Sequence, residues 1–317
     1  MNQIVNVSDN VNIEKLATDS SVVSAWCEFL RVQNNLAEST IAMYRRGLKA
    51  FAKWMHEEQR AYPTPVDCLA FKQALMEKYS SQTVNLRLSS VRSFYSFLVT
   101  SGLCLYNPMQ AVNGARRINA TRHKRNALSP AEVKRVLAIH DGQSPLAVRN
   151  RCVLYLMAYC GLRTIEIVRA DFGDLRSEDD RLVLDVQGKG HKEKDDLVII
   201  PGPAEDAIRE WYTIRKKMNV SDNDPLFCSL SKRNASDRLS TLTIRLMVKA
   251  AFDQVGVIGA GKTTHSLRHS AITQAIKGGA SPMQVQAMAR HKSYDTTLIY
   301  YHENDRMENP AEDLVSY

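Results

Sequence analysis

The chain has 317 residues, 44% hydrophobic and 24% charged, enough apolar material for one large core or two smaller ones. Its longest apolar run, Val153 to Cys160, is too short to cross a bilayer, and the opening MNQIVNVSDN lacks the basic and apolar regions of a secretion signal; a cytoplasmic protein without a membrane partner is expected. Six scattered cysteines with no C-x-x-C pair argue against a zinc site or disulfide framework, and the net charge of +8 leans towards a polyanionic partner.

The positive charge is uneven. Residues 1–126 carry 16 Lys and Arg against 9 Asp and Glu, whereas the remainder carries 26 against 25. Within the basic part, helices are predicted over Ser20 to Val32, Ser39 to Met55, Val66 to Lys78 and Gln82 to Thr100. In the second, Ile41, Tyr44, Leu48, Phe51 and Met55 recur at +3/+4 spacing while Arg45, Arg46 and Lys49 fall largely on other faces. In the fourth, Val84, Leu88, Val91, Tyr95 and Leu98 repeat the pattern with Arg87 and Arg92 pointing outward. About twenty residues precede the first of these helices.

GARRINATRHKRN, residues 114–126, has no apolar periodicity and reads as a basic linker, either a solvated charge run or one whose Arg122 and Lys124 follow a phosphate backbone. A second domain then opens on Ser129-Pro130 with Glu132 completing a capping box. Arg149 to Cys160 reads as a buried helix ended by Gly161. Arg181 to Gln187 and Leu197 to Pro201 read as the arms of a hairpin around Gly-Lys-Gly. Helices follow at about Pro203–Met218, Ser240–Val255, Thr264–Lys277 and Ser281–Arg290, and a last one starts near Ser293.

Two motif matches fail on context. Gly256 to Thr263 fits the G-x-x-x-x-G-K-[ST] phosphate loop, but Ile244, Val248, Ala251 and Val255 before it have helical spacing where that loop needs a strand. His265-Ser-Leu-Arg-His269 puts two histidines at i, i+4, but a zinc protease would need Glu where Ser266 stands. No acidic constellation suggests a two-metal nuclease.

What remains is an ordered set: Arg163 in G-L-R-T-I-E, Lys189 at the hairpin tip, His265 and Arg268 at i, i+3, then His291 and Tyr300 in an H-x8-Y spacing. Singly each has a structural explanation. Together, in this order, they resemble the tyrosine recombinase or phage integrase family, which includes the Xer recombinases, Cre and the lambda-type integrases. The resemblance covers nearly the whole chain, with its specific part from Gly161 to Tyr300.

The resemblance implies a mainly α protein with a small β-hairpin or sheet in the catalytic domain, folded as a two-domain C-shaped clamp around DNA. It places a helical core-binding domain at residues 1–113, the linker at 114–126, a catalytic domain at 127–302 and a C-terminal tail at 303–317. It also implies DNA cleavage and rejoining through a 3′-phosphotyrosine, with no metal, ATP or other cofactor. Arg163 and Arg268 would stabilise the non-bridging oxygens, which a guanidinium fork suits geometrically, with Glu166 holding Arg163 in place. Lys189 would protonate the leaving 5′-oxygen, with Lys192 and Lys194 as rivals. His265 would accept the tyrosine proton or orient the phosphate, His291 would donate to a phosphate oxygen, and Tyr300 would attack, with Tyr301 its competitor.

Arg45, Arg46, Lys49, Arg87, Arg92, Arg122, Lys124, Arg245 and Lys262 are the candidate DNA contacts. The implied partner is double-stranded DNA with short inverted core sites, bound by a homo-tetramer that exchanges C-terminal segments. Where many relatives have L-G-H, this chain has Ala289-Arg290-His291, and Arg290 either adds a phosphate contact or alters packing. The short stretch before the first helix leaves no room for the arm-binding domain of lambda-type integrases and points to a simpler recombinase. A sequence-specific DNA-binding protein without cleavage and a type IB topoisomerase are the rival classes.

Overall fold

The computed structural model describes residues 12–116, 127–188, 193–259 and 261–315, and the chain divides into two compact units, Met1–Asn119 and Ala120–Tyr317. The first unit holds helices α1 (Ile13–Thr18), α2 (Ser20–Val32), α3 (Glu38–Glu57), α4 (Pro65–Lys78) and α5 (Ser81–Thr100). Their starts are set locally. Asp19 accepts from the backbone N–H groups of Ser21 and Val22 at α2, Thr64 and Asp67 form a capping box with Pro65 in the first turn of α4, and Ser80 caps α5. The short α1 lies inside the twenty residues expected to precede the first helix.

The apolar stripes of α3 and α5 meet. Ile41, Leu48, Phe51 and Met55 on one helix and Val84, Leu88, Val91 and Tyr95 on the other are buried, with Trp26 edge-on to Phe94 at 5.1 Å and Phe51 edge-on to Phe71 at 4.9 Å. Gly47 makes the close crossing of these helices possible. A Cβ there would fall 2.6 Å from Ser90 Oγ, which itself donates to the Tyr44 carbonyl. Arg45, Arg46 and Lys49 are exposed as expected from the pattern. Arg92 is not outward: its guanidinium turns onto the chain returning after α5 and donates to the carbonyls of Met109 (3.3 Å) and Val112 (2.6 Å). The Val112 carbonyl thus gains a donor, and the Met109 carbonyl, which already accepts from the Val112 N–H at 3.2 Å, gains a second. Arg87 lies over the Tyr79 ring, 3.9 Å from its centroid.

The second unit is built around α7 (Pro145–Tyr159), which packs against α9 (Gly202–Lys216) and α11 (Thr264–Lys277). It also contains α6 (Pro130–Leu137), α8 (Thr164–Arg169), α10 (Thr241–Gln254), α12 (Pro282–Ala289) and α13 (Tyr294–Glu308). The capping box of Ser129 with Glu132 starts α6, and that of Ser281 with Gln284 starts α12. The sheet has three antiparallel strands in the order β1 (Leu175–Glu178), β2 (Arg181–Val186), β3 (Asp196–Ile199), with β2 central and Leu184 facing both Leu175 and Val198. The expected hairpin is β2–β3; β1 is an addition, joined to β2 by Asp179 and Asp180, both at positive φ. Helix α10 precedes Gly256, which removes the strand that a phosphate loop requires. Five cysteines are buried and Cys27 is partly so, all as free thiols. No helix among the described residues is long and apolar enough to cross a membrane. Helix α13 continues past residue 302, so the first part of the expected tail is helical.

Candidate active site

The site forms where two helices end and two others carry cations to their free carbonyls. Helix α7 closes at Cys160, and Gly161 turns the chain at φ +60°, a left-handed conformation that glycine adopts without a Cβ clash. That turn delivers Arg163 as the residue capping α8. Glu166, in the first turn of α8, accepts from the Arg163 backbone N–H at 2.7 Å and from its guanidinium at 2.7 Å. Helix α12 closes on Arg290, which sits at φ 50°. For a residue with a side chain this backbone costs about 1 kcal/mol. Its guanidinium offsets the cost: only 3% exposed, it meets Glu166 Oε2 at 2.7 Å and donates to the Gly161 and Met288 carbonyls. Arg290 is therefore held in place by packing and ion pairing.

Arg268, buried on α11, donates to the Gly161 carbonyl at 2.5 Å and to the Ala289 carbonyl. Arg163 reaches the same Ala289 carbonyl at 3.2 Å and that of Arg290 at 3.0 Å. The last carbonyls of a helix are unsatisfied and carry partial negative charge, so two helix C-termini organise the three guanidiniums. One carboxylate, Glu166, faces all this positive charge. Burial alone would push its pKa up; the charge and hydrogen bonds of Arg290, then those of Arg163, overcome this and hold it below the usual carboxylate range. Burial, reinforced by the charges of Arg163 and Arg290, lowers the pKa of Arg268. A cation so placed is stabilised by an arriving anion. A cleft of about 720 Å³ opens at this cluster, lined by Arg163, Gly188, Asp196, Arg290, His291 and Lys292 among others.

Past Arg290, His291 Nδ1 lies 2.9 Å from the buried Thr297 Oγ1, and the Gln286 amide donates to the His291 carbonyl at 3.2 Å. The His291 ring lies nearly parallel to that of Tyr300, centroids 6.1 Å apart. Tyr300 is 8% exposed, its ring held among Ile272, Ile276, Val285 and Ala289. Burial pushes its phenol up to about 12, against the opposing charges of Arg268 and Arg163 and with Glu303 adding to the rise. Its hydroxyl is hydrogen-bonded to His269 Nδ1. Tyr301 is engaged elsewhere, its hydroxyl donating to the Ala280 carbonyl and so tying α13 to the turn between α11 and α12.

The structure thus brings Arg163, Glu166, Arg268, His291 and Tyr300 together. His265 lies on the first turn of α11 with its side chain exposed. Lys189 and Lys192 lie outside the described residues, although Gly188 lines the cleft and its carbonyl accepts from Arg169 at 3.0 Å. Lys194 is ion-paired with Asp171 and Asp174, which ties it to the turn just before β1. Among the candidate DNA contacts Arg245 is exposed on α10, and Lys262 pairs with Glu132, so meeting a phosphate would exchange one anion for another. Arg122 and Lys124 fall outside the described residues. In the sequence, H-S-L-R-H supplies His265 and Arg268 to the resemblance and offers His269 only as a rejected metal ligand; that His269 meets the tyrosine needs the fold.

Convergent guanidiniums beside a cleft that His291 lines, with the Tyr300 ring stacked on that histidine, suit the binding of a phosphate group. The chain belongs to the phage integrase family: it matches the "Phage integrase family" over residues 126–307 and the "Phage integrase, N-terminal SAM-like domain" over residues 23–102. It is a tyrosine recombinase, an enzyme that cleaves and rejoins DNA through a tyrosine-linked intermediate. It is 30% identical over 282 residues to the tyrosine recombinase XerC of Vibrio vulnificus, covering 87% of this chain and 84% of that one. It is 28% identical over 283 residues to XerD of Lacticaseibacillus casei, covering 89% and 93%. Among solved structures, XerH recombinase bound to a palindromic difH substrate superposes with a TM-score of 0.72 at 20% identity, over 93% of this chain and 84% of that one. The Tn1549 transposon integrase with transposon right end DNA gives 0.65 at 14% identity, over 93% and 99%.

Proposed function

We propose that this recombinase acts at specific double-stranded DNA sites made of short inverted core elements, with Tyr300 as its nucleophile. Arg163 and Arg268 hold the non-bridging oxygens of the attacked phosphate, with Glu166 orienting Arg163. Lys189 protonates the leaving 5′-oxygen, His291 donates to a phosphate oxygen, and His265 orients the phosphate. Exposed Arg45, Arg46, Lys49 and Arg245, with Arg122 and Lys124 of the linker, contact backbone phosphates. Four copies assemble on two sites and exchange C-terminal segments; Leu314 and Val315, both exposed, supply the apolar part of that contact. Resolution of chromosome dimers, suggested by the Xer relatives, and movement of an integrative element, suggested by the transposon integrase, both fit, and the basic charge leans towards the second. The protein works in the cytoplasm.

One observation carries this reading. Arg163 and Arg268, far apart in sequence, donate to the same Ala289 carbonyl, beside the turn that leads through His291 to Tyr300. The test starts by selecting bound duplexes from a random-sequence library with the full chain. A nicked suicide version of the selected duplex should then trap a covalent protein–DNA adduct with the wild type and with Tyr301→Phe, and none with Tyr300→Phe. Adduct formation by Tyr300→Phe would overturn the assignment.

A further inference from the structure

Attack by a phenol held at a pKa of about 12 needs a group that removes its proton, because little phenolate exists at neutral pH. The side chain that meets the Tyr300 hydroxyl is His269, through Nδ1, with ring centroids 5.4 Å apart and planes inclined by 34°. His269 follows Arg268 on α11, so the residue that would grip the phosphate and the one that touches the nucleophile are adjacent on one rigid helix. The other titratable groups here are differently placed. His291 Nδ1 is engaged with Thr297. Glu303, one turn beyond Tyr300 on α13, has a buried Oε1 that accepts no hydrogen bond. His265, a turn earlier on α11, is exposed.

Resting on the reading of Tyr300 as nucleophile, we propose that His269 is the general base of strand cleavage and the general acid of rejoining. In cleavage, a bond forms between Tyr300 Oη and phosphorus while the bond from phosphorus to the 5′-oxygen breaks. The phenolic proton passes to His269 Nδ1, and the 5′-oxygen takes its proton from the hairpin lysine. In rejoining, the 5′-hydroxyl attacks the phosphotyrosine and gives its proton back to the lysine. Tyr300 leaves and recovers its proton from the His269 imidazolium. No oxidant, reductant or further reagent enters.

His269→Asn leaves an amide oxygen near the position of Nδ1, able to hold the hydroxyl yet unable to take its proton. Cleavage of the selected suicide duplex by the full chain at saturating DNA should slow by roughly 10²-fold or more, with DNA affinity unchanged. Replacing Tyr300 in that variant with 3,5-difluorotyrosine, a more acidic phenol, should recover most of the lost rate. A substrate with a bridging 5′-sulfur, whose thiolate leaves without protonation, should not rescue it. Wild-type cleavage by His269→Asn would overturn the proposal, and so would a defect that the acidic phenol leaves unrepaired. An adduct formed by Tyr300→Phe would instead fault the nucleophile assignment itself.

Discussion

The two units handle charge in opposite ways. In the first, the core is aromatic and aliphatic, the α3 cations Arg45, Arg46 and Lys49 are exposed, and the one buried charged side chain among the described residues is Asp67, spent on a helix cap. In the second, Glu166, Arg268 and the Arg290 guanidinium are buried together, held by helix-terminal carbonyls and by one another. Exposed charges can follow a flexible polyanion and are individually replaceable. Buried ones hold a fixed geometry, stay strong in a low-dielectric setting and fail as a unit when one is removed. The first arrangement suits grip on a duplex, the second suits chemistry on one phosphate.

The contrast breaks most visibly at Arg268. Arg268→Ala should lower the single-turnover cleavage rate on the selected duplex by roughly 10²–10³-fold while gel-shift affinity changes little. A loss confined to affinity would place Arg268 with the gripping charges. Next comes Glu166→Gln, which leaves the buried Arg290 with an uncompensated charge and should cost about 3 kcal/mol of stability in denaturant titrations. Its pH signature follows from the lowered pKa of Glu166. The wild type gains stability from the ionised carboxylate above the ordinary carboxylate range and loses it as pH falls through the lower folded value. Glu166→Gln should flatten that acid limb of a Tm-against-pH curve.

In the first unit, Gly47→Ala forces a methyl against Ser90 and should destabilise by about 2 kcal/mol, read as a lower denaturant midpoint, without altering cleavage per folded molecule. Smallest of all, Arg45→Ala should weaken DNA binding a few-fold and reduce the slope of log affinity against log salt by about one. An unchanged slope would remove Arg45 from the interface.

Much of the fold was legible because helix starts are written in local chemistry. Ser129-Pro130 with Glu132, and Ser281-Pro282 with Gln284, mark α6 and α12 to within a residue. Strand β1 was not legible: LRSE has one apolar residue, and the turn after it uses Asp179 and Asp180 rather than glycine. Arg92 misled because helical periodicity says which face a residue occupies, not that a loop will fold back to meet it. At the site, Arg163, Arg268, His291 and Tyr300 could be named because their order and spacing resemble those of the tyrosine recombinases. The role of Arg290 needs three dimensions, since its partners Glu166 and Gly161 come from another part of the chain. His269 stayed hidden because its partner lies 31 positions away on another helix.

The central claim is that this site delivers Tyr300 to the phosphate. Trapping the adduct on the selected suicide duplex, digesting protein and DNA, and sequencing the modified peptide by mass spectrometry reads the linkage directly. The nucleotide mass should sit on Tyr300, the residue bonded to His269 and stacked beside His291. Finding it on Tyr301, whose hydroxyl is tied to the Ala280 carbonyl, or on any other residue would contradict the account.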